Sequence, residues 1–350
     1  MIDFRYHIVS LISVFLALAV GIALGAGPLK ETIGDTLTGQ VEALRAEKEG
    51  LRTELDAAAG DLAASDAFVS ASGERLLAGA LTDRRVALVL LDEVPEEEVV
   101  ALTERFAQAG AGISATVTIN DTWTDPALAT YRSSFAGTLV SYLAEPPAAD
   151  AGTEAELAEA LVSGLVGADA ASPDALSPTA DELLDLLAEG DRALVTYAQE
   201  ITQPADAIVL VTGAVTTVDA SPSADPVPTT FDARLALADA AQRLSEGAVV
   251  AGGAEPGESL VSAVRDDDDL AGTVTTVEDA TTVSGQVVVP LALAASIAGQ
   301  PGHFGYGDGL EVLPPVVQLP PVDRTPVVPE VDPGTVDGGA GGDVPAGGDG

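Results

Sequence analysis

Two histidines, a run of four aspartates and several glycine turns are the parts of this 350-residue chain whose types and spacing suit chemistry. A Ser-His-Asp set needs a positioned imidazole. His7 stands at the start of a long apolar run, so such a set would rest on His303 alone. His303 lies in Gly302-His303-Phe304-Gly305-Tyr306-Gly307 and has two readings, a metal ligand or an imidazole that hydrogen-bonds its own glycine-rich loop. Asp266 to Asp269 is the densest set of oxygen ligands and suits a hard cation. It lacks the alternate spacing and the glycine of a calcium loop, and reads as a solvated acidic loop. Copper(I) takes Cys or Met sulfur. The chain has no Cys and a single Met, Met1, so its inventory does not describe a high-affinity copper(I) binder, and it has no disulfide framework.

The glycines are no more specific. Gly110-Ala111-Gly112 closes a helix and opens a strand, whereas a pyrophosphate needs a turn that closes a strand and opens a helix. Thr212-Gly213-Ala214 and Gly252-Gly253 do follow strands and could line a crevice at the carboxyl edge of a sheet, or be ordinary connections. Gly257-Glu258-Ser259-Leu260-Val261 lacks the last glycine of a nucleophile elbow, and no phosphate-binding loop of the Walker type is present. The chain is therefore expected not to be an enzyme.

Charge removes further classes. With 55 acidic and 15 basic side chains the net charge is -40 and the pI about 4.1. A field of that sign repels nucleic acid and anionic lipid headgroups, so nucleic-acid binding is excluded.

The elements that must position these residues begin with Ile8 to Leu24, a run without a charge. At about 1.5 Å per residue it is roughly 25 Å long. Phe4 and Tyr6 before it, and Gly25 to Gly27 after it, extend it to the width of a hydrocarbon core. Ala23-Leu24-Gly25 resembles a signal-peptidase site, but the amino end holds only Arg5 against Asp3 and the core is long, so a retained span is expected. Leu37, Val41, Leu44, Lys48, Leu51, Leu55, Ala58 and Leu62 then follow in steps of four and three, the seam of a coiled coil. Arg45 and Arg52 flank one side and Glu47 and Glu54 the other, which sets Glu47 against Arg52 of a parallel neighbour.

From Arg85 the period changes again. Val86 to Leu91, Ile113 to Ile119, Ile208 to Thr212 and Ala248 to Ala251 read as buried strands, and Thr273 to Val277 as an edge or late one. Pro95 to Gln108, Glu154 to Val166, Thr179 to Leu187, Phe231 to Leu244 and Gln286 to Ala298 read as helices, the last interrupted by Pro290. Alternating strands and helices predict a parallel sheet covered on both faces. Short continuous apolar runs and 4% aromatics are not the ten-residue alternation and aromatic girdles of a membrane barrel. After Leu313 the prolines and then GGAGGD and AGGDG carry no hydrophobic period.

The opening FRYHIVSLISVFLALAVGIALGAGPL, the heptads, VALVLLDE, and the late Pro301 to Gly307 with Leu313-Pro314-Pro315 together resemble the actinobacterial family of the mycobacterial copper transport protein B (MctB-like), over about residues 1 to 315. The resemblance implies a role in copper homeostasis or efflux, with copper as the transported ion, and brings no catalytic residues. The expectation is an α/β protein in four parts: an N-terminal transmembrane helix (1–29), a coiled-coil stalk (30–70), a three-layer α/β domain with a mostly parallel sheet (84–312), and a disordered Pro/Gly/Asp-rich tail (313–350). It would be a single-pass membrane protein of the cell envelope, anchored by Ile8 to Leu24. Its main domain would be extracytoplasmic, and it would self-associate through Leu37 to Leu62, with His303 as the candidate metal ligand and no cofactor. The alternative is a coiled-coil envelope scaffold or partner-binding protein with no direct metal role.

Overall fold

The amino-terminal run folds as a helix, α1 (Phe4–Ala26), in a computed structural model that describes residues 4–26, 28–145, 147–148, 151–213, 228–253 and 259–327. The chain divides into two compact units, Met1–Phe68 and Val69–Gly350. In the first, Phe4 to Gly25 is long and apolar enough to cross a membrane, and none of it is buried. Ser13 donates its hydroxyl hydrogen to the Val9 carbonyl at 2.8 Å, so that hydroxyl needs no partner outside the helix.

A second helix, α2 (Pro28–Leu77), is 50 residues long and rich in Ala, Leu and Glu, strong helix formers. Leu37, Val41, Leu44, Leu51, Leu55 and Leu62 are 45% to 70% exposed along it. A stripe of large aliphatic side chains thus lies open on the single chain. Burial of one such side chain contributes about 1.5–3 kcal/mol.

The second unit is built on β1 (Arg85–Leu90), α3 (Glu96–Ala109) and β2 (Gly112–Ile119). Next come α4 (Ala129–Leu139), α5 (Thr153–Val166), the small hairpin β3 (Ala168–Asp169) and β4 (Ser172–Leu176), and α6 (Pro178–Ala188). The remainder is β5 (Val195–Tyr197), β6 (Ala207–Val211), α7 (Pro228–Leu244), β7 (Ala248–Ala251), α8 (Leu260–Asp266), β8 (Thr275–Val277), α9 (Val283–Ile297) and β9 (His303–Phe304). Seven strands form one sheet in the order β5-β2-β1-β6-β7-β8-β9. All neighbours are parallel except β5, which runs against β2 with Val117 opposite Tyr197 and Ile119 opposite Val195.

Side-chain alternation along the strands divides the core into two layers. Ala87 and Val89 of β1 and Ile208 and Leu210 of β6 face one, packed with Leu157, Leu161, Leu183 and Leu237. Val86, Leu88 and Leu90, with Ala207, Val209 and Val211, face the other, packed with Leu77, Phe106 and Leu293. Strands buried on both faces read as the continuous apolar runs seen in the sequence.

Helix ends follow from local chemistry. α3 has Glu96, Glu97 and Glu98 in its first turn and stops at Gly110, whose φ of 87° suits glycine. α6 is capped by the Ser177 hydroxyl, which accepts from the Ala180 N–H, with Pro178 in the first helical position. Pro290 lies inside α9, where it forgoes one backbone hydrogen bond; the buried apolar residues on both sides of it carry the helix through.

The structure refines these expectations. The strand expected from Thr273 to Val277 as an edge or late one is the late strand β8, and it is interior because β9 pairs outside it. The antiparallel edge strand β5 was not foreseen. The segment expected to be a loose tail from 313 contains no helix or strand, yet it stays on the domain as far as Val327. An extended Pro-rich backbone leaves its carbonyls unpaired, and Arg84 Nη2 donates to that of Pro320 at 3.2 Å. Arg324 Nη2 donates to Asp206 Oδ2 at 2.6 Å and to the Asp83 carbonyl at 3.0 Å, and the Val327 N–H donates to the Ala170 carbonyl at 2.8 Å. The rest of the expected tail, 328–350, lies outside the described residues.

Candidate functional site

Two places in the α/β domain bear on function. One is the β9 corner. There His303 sits opposite Thr276 in the parallel ladder. Its Nε2 lies 3.0 Å from the Ala271 carbonyl, which can only accept, so Nε2 carries the hydrogen and Nδ1 accepts from the Thr276 hydroxyl at 2.8 Å. Burial lowers the His303 pKa below its ordinary 6.5; the Ala271 hydrogen bond opposes this, and the positive Arg265 adds to it. Arg265 Nη1 pairs with Glu278 Oε1 at 2.6 Å. Gly302 leaves room for the buried Phe304 ring, since a Cβ there would lie 2.8 Å from Phe304 Cζ. Both ring nitrogens of His303 are thus engaged, and a metal at either would displace a hydrogen bond.

The aspartate run closes α8. Asp267 Oδ1 accepts the N–H groups of Asp269 and Leu270 at 2.9 and 3.0 Å, which shapes the turn that leads to β8. Among the described residues no group of three or more His, Cys, Asp or Glu side chains converges to hold a metal ion. Ser259 of the elbow-like stretch is the N-cap of α8, its hydroxyl accepting from the Ser262 N–H at 3.2 Å; Gly257 and Glu258 lie outside the described residues.

The other place is where the strand order reverses. From β1 the chain moves to β2 on one side and later to β6 on the other, and ligands of open α/β sheets bind outside the carboxyl ends of strands at such a point. Between β1 and β6 the gap is closed by backbone. A Cβ on Gly213 would fall 2.5 Å from the Glu93 carbonyl oxygen, so only glycine lets the two loops meet; Ala214 lies outside the described residues. The opening lies instead beyond β1 and β2, as a cavity of about 650 Å³.

Its lining is polar. Arg234 of α7 pairs with Asp92 and donates to the Leu91 carbonyl at 3.3 Å. Asn120 donates to the Ala193 carbonyl and accepts from the Thr196 hydroxyl, both at 3.0 Å, which fixes the end of β2 to the start of β5. The turn Asp121–Trp123 follows, with Trp123 1% exposed and in the cavity lining. Behind it the buried Arg132 donates to the carbonyls of Thr122 and Asp125 at 3.3 and 2.6 Å and pairs with Glu154 at 3.4 Å. Burial raises the pKa of Glu154, against the opposing charge and hydrogen bond of Arg132. The available signal for this place was one tryptophan in a Thr- and Asp-rich turn after a strand, and the sequence reading did not single it out.

The described chain combines one apolar helix of membrane-crossing length with an open, mostly parallel α/β sheet. The chain belongs to the MctB family, described as copper transport outer membrane protein, whose profile matches residues 1–315. It is similar to the copper transporter MctB of Mycobacterium tuberculosis and to that of Mycobacterium bovis, each 31% identical over 319 residues that cover 88% of this chain and 98% of the relative. The copper transporter MctB of Mycobacterium leprae is 27% identical over 327 residues, with the same coverage.

Proposed function

We propose that this chain is a single-pass envelope protein that self-associates through Leu37 to Leu62, places its α/β domain outside the cytoplasm and supports copper homeostasis through the assembly it forms. The copper role comes from its relatives, which are named copper transporters. The observation that carries self-association is the open stripe of aliphatic side chains on α2. A parallel copy would cover it and bring Glu47 to Arg52; burial of the stripe outweighs that ion pair, since an exposed pair contributes at most about 1 kcal/mol.

The polar inventory supports an indirect role in copper handling. His303 has both nitrogens engaged, and the chain offers no thiolate. The open sheet, buried on both faces, gives no reason to seek an ion conduit within it. No catalysis is part of this reading.

The absence of native cysteine makes the test direct. The full chain carrying Leu44→Cys, in detergent, is expected to form a disulfide-linked dimer under mild oxidation, and Leu44→Asp to lose the oligomer in light scattering. A monomer at micromolar concentration, with no cross-link, overturns the self-association. Copper tolerance of a strain lacking the protein, restored by the wild-type chain and by His303→Ala but not by Leu44→Asp, supports the indirect role. Loss of tolerance with His303→Ala in a folded protein would overturn it.

A further inference from the structure

We propose that residues 312–326 form a latch, a strap that lifts from the α/β domain as one piece while the domain beneath it stays folded. The inference does not depend on the self-association above. Glu311 is the last residue before the strap with a backbone hydrogen bond to the domain, its N–H donating to the His303 carbonyl at 3.1 Å, and Val327 is the next. Between them no backbone–backbone hydrogen bond forms among the described residues. A segment without such a ladder is weakly coupled to the sheet and opens at lower cost than the core.

The polar bonds that hold the strap down pass through two arginines. Arg84 donates to the Pro320 carbonyl, and Arg324 donates to Asp206 and to the Asp83 carbonyl and lies 3.8 Å from Asp174. Val317 and Leu319 add partly buried apolar contacts with the second core layer. The groups on the domain are provided for without the strap. Arg84 stays paired with Glu246 at 2.8 Å, and the atom that loses Pro320 loses its cover with it. Asp206 still accepts the Arg85 N–H at 2.7 Å. Asp83 and Ala170 are exposed, so their carbonyls pass to water. Lifting the strap therefore strands no buried polar group on the domain, the cost that normally keeps a segment in place.

The strap is also loosely seated. Two cavities lie along it, one of about 670 Å³ bounded by Val316 to Pro320 and by Arg84, Glu246 and Ile297, the other of about 460 Å³ bounded by Leu313 to Leu319 and by Leu76, Leu291 and Ala294. A core fills such space, whereas the strap spans it. Prolines at 314, 315, 320, 321 and 326 explain how it closes at all. They narrow the conformations of the free strap, so less entropy is lost on docking, and they have no N–H to leave unpaired. Opening moves the point at which the carboxyl-terminal chain leaves the domain from Val327 back to Glu311, which adds up to about 50 Å of contour.

Trypsin reads the latch directly, because it cuts after Arg324 only when that guanidinium has left Asp206 and the Asp83 carbonyl. The full chain in detergent micelles is digested at increasing trypsin concentration, beside a synthetic peptide of residues 313–333. Initial rates at two bonds are followed by mass spectrometry, the one after Arg324 and the one after Arg85, which lies in the interior strand β1. Cleavage after Arg324 is expected to be at least tenfold slower than in the peptide and at least tenfold faster than after Arg85, with a rate proportional to trypsin. Asp206→Asn, whose amide oxygen can still accept the Arg85 N–H, should raise the rate after Arg324 at least fivefold and leave that after Arg85 unchanged. Cleavage of both bonds at one rate, in either chain, would overturn the proposal, since the strap would then open only with the domain. So would cleavage after Arg324 as fast as in the peptide, because the strap would then never be closed, and so would a rate there that Asp206→Asn leaves unchanged.

Discussion

Two places in the sheet, at β9 and at the ends of β1 and β2, use polar groups in opposite ways. At β9, His303 binds Thr276 with one nitrogen and Ala271 with the other, and Arg265 is matched to Glu278. At the ends of β1 and β2, Trp123 has a buried donor without an acceptor, and Glu93, Asp121 and Asp191 surround a cavity unpaired among the described residues. A buried polar group left without a partner costs about 1–3 kcal/mol, so folds keep such groups mainly where something other than stability is served. The motif that stood out in the sequence therefore secures the fold, and the stretch that did not stand out holds a buried donor without an acceptor.

The largest effect that would sharpen this contrast is expected from Gly213→Ala. Its Cβ would meet the backbone of Glu93, which cannot rotate away, so the β1 and β6 loops must part. A loss of about 2–4 kcal/mol in chemical denaturation is expected. Gly302→Ala meets the edge of a ring instead, and a smaller loss of about 1–3 kcal/mol should follow as Phe304 shifts. If the two losses came in the reverse order, the β9 corner would be the more rigid one.

His303→Phe would strand the Thr276 hydroxyl and the Ala271 carbonyl, at an expected cost of about 1–3 kcal/mol, whereas Trp123→Phe removes an unpaired donor and should cost less than that. Equal losses in thermal denaturation would erase the distinction between the corners. The smallest effect is one of pH. His303 has a folded-state pKa below its ordinary 6.5, so between those two values the unfolded chain binds the proton and the folded one does not. Stability should therefore fall as pH drops from neutrality through 6.5 towards the folded value, and His303→Gln should remove that slope. An unchanged slope in the variant would assign it to other groups.

Much of the fold was legible because the signals were local. Val86 to Leu91, Ile208 to Thr212 and Ala248 to Ala251 are short apolar runs of the kind that strands buried on both faces use, and the observed β1, β6 and β7 match them to within a residue at each end. Gly110 closed a helix in the sequence and closes one in the structure. What escaped depends on partners distant in sequence. β5 is three residues long and is held by its register with β2 and by Tyr197, whose hydroxyl donates to the Leu184 carbonyl at 2.7 Å. The turn that carries Trp123 owes its shape to Arg132, and residues 313–327 owe theirs to Arg84 and to Asp206, which binds Arg324. None of these pairs has a period that a window of sequence could register.

The terminal strands of the sheet carry one more consequence. β5 spans three residues, and β9 spans two and already pairs with Glu311, so a neighbouring chain laid against either would gain few ladder bonds. Extension of the sheet from molecule to molecule, the common route by which β-rich proteins aggregate in crowded surroundings, therefore has little template at these two strands. Whatever contacts these molecules make with one another are left to helices and side chains, which are selective about their partners in a way that exposed backbone is not.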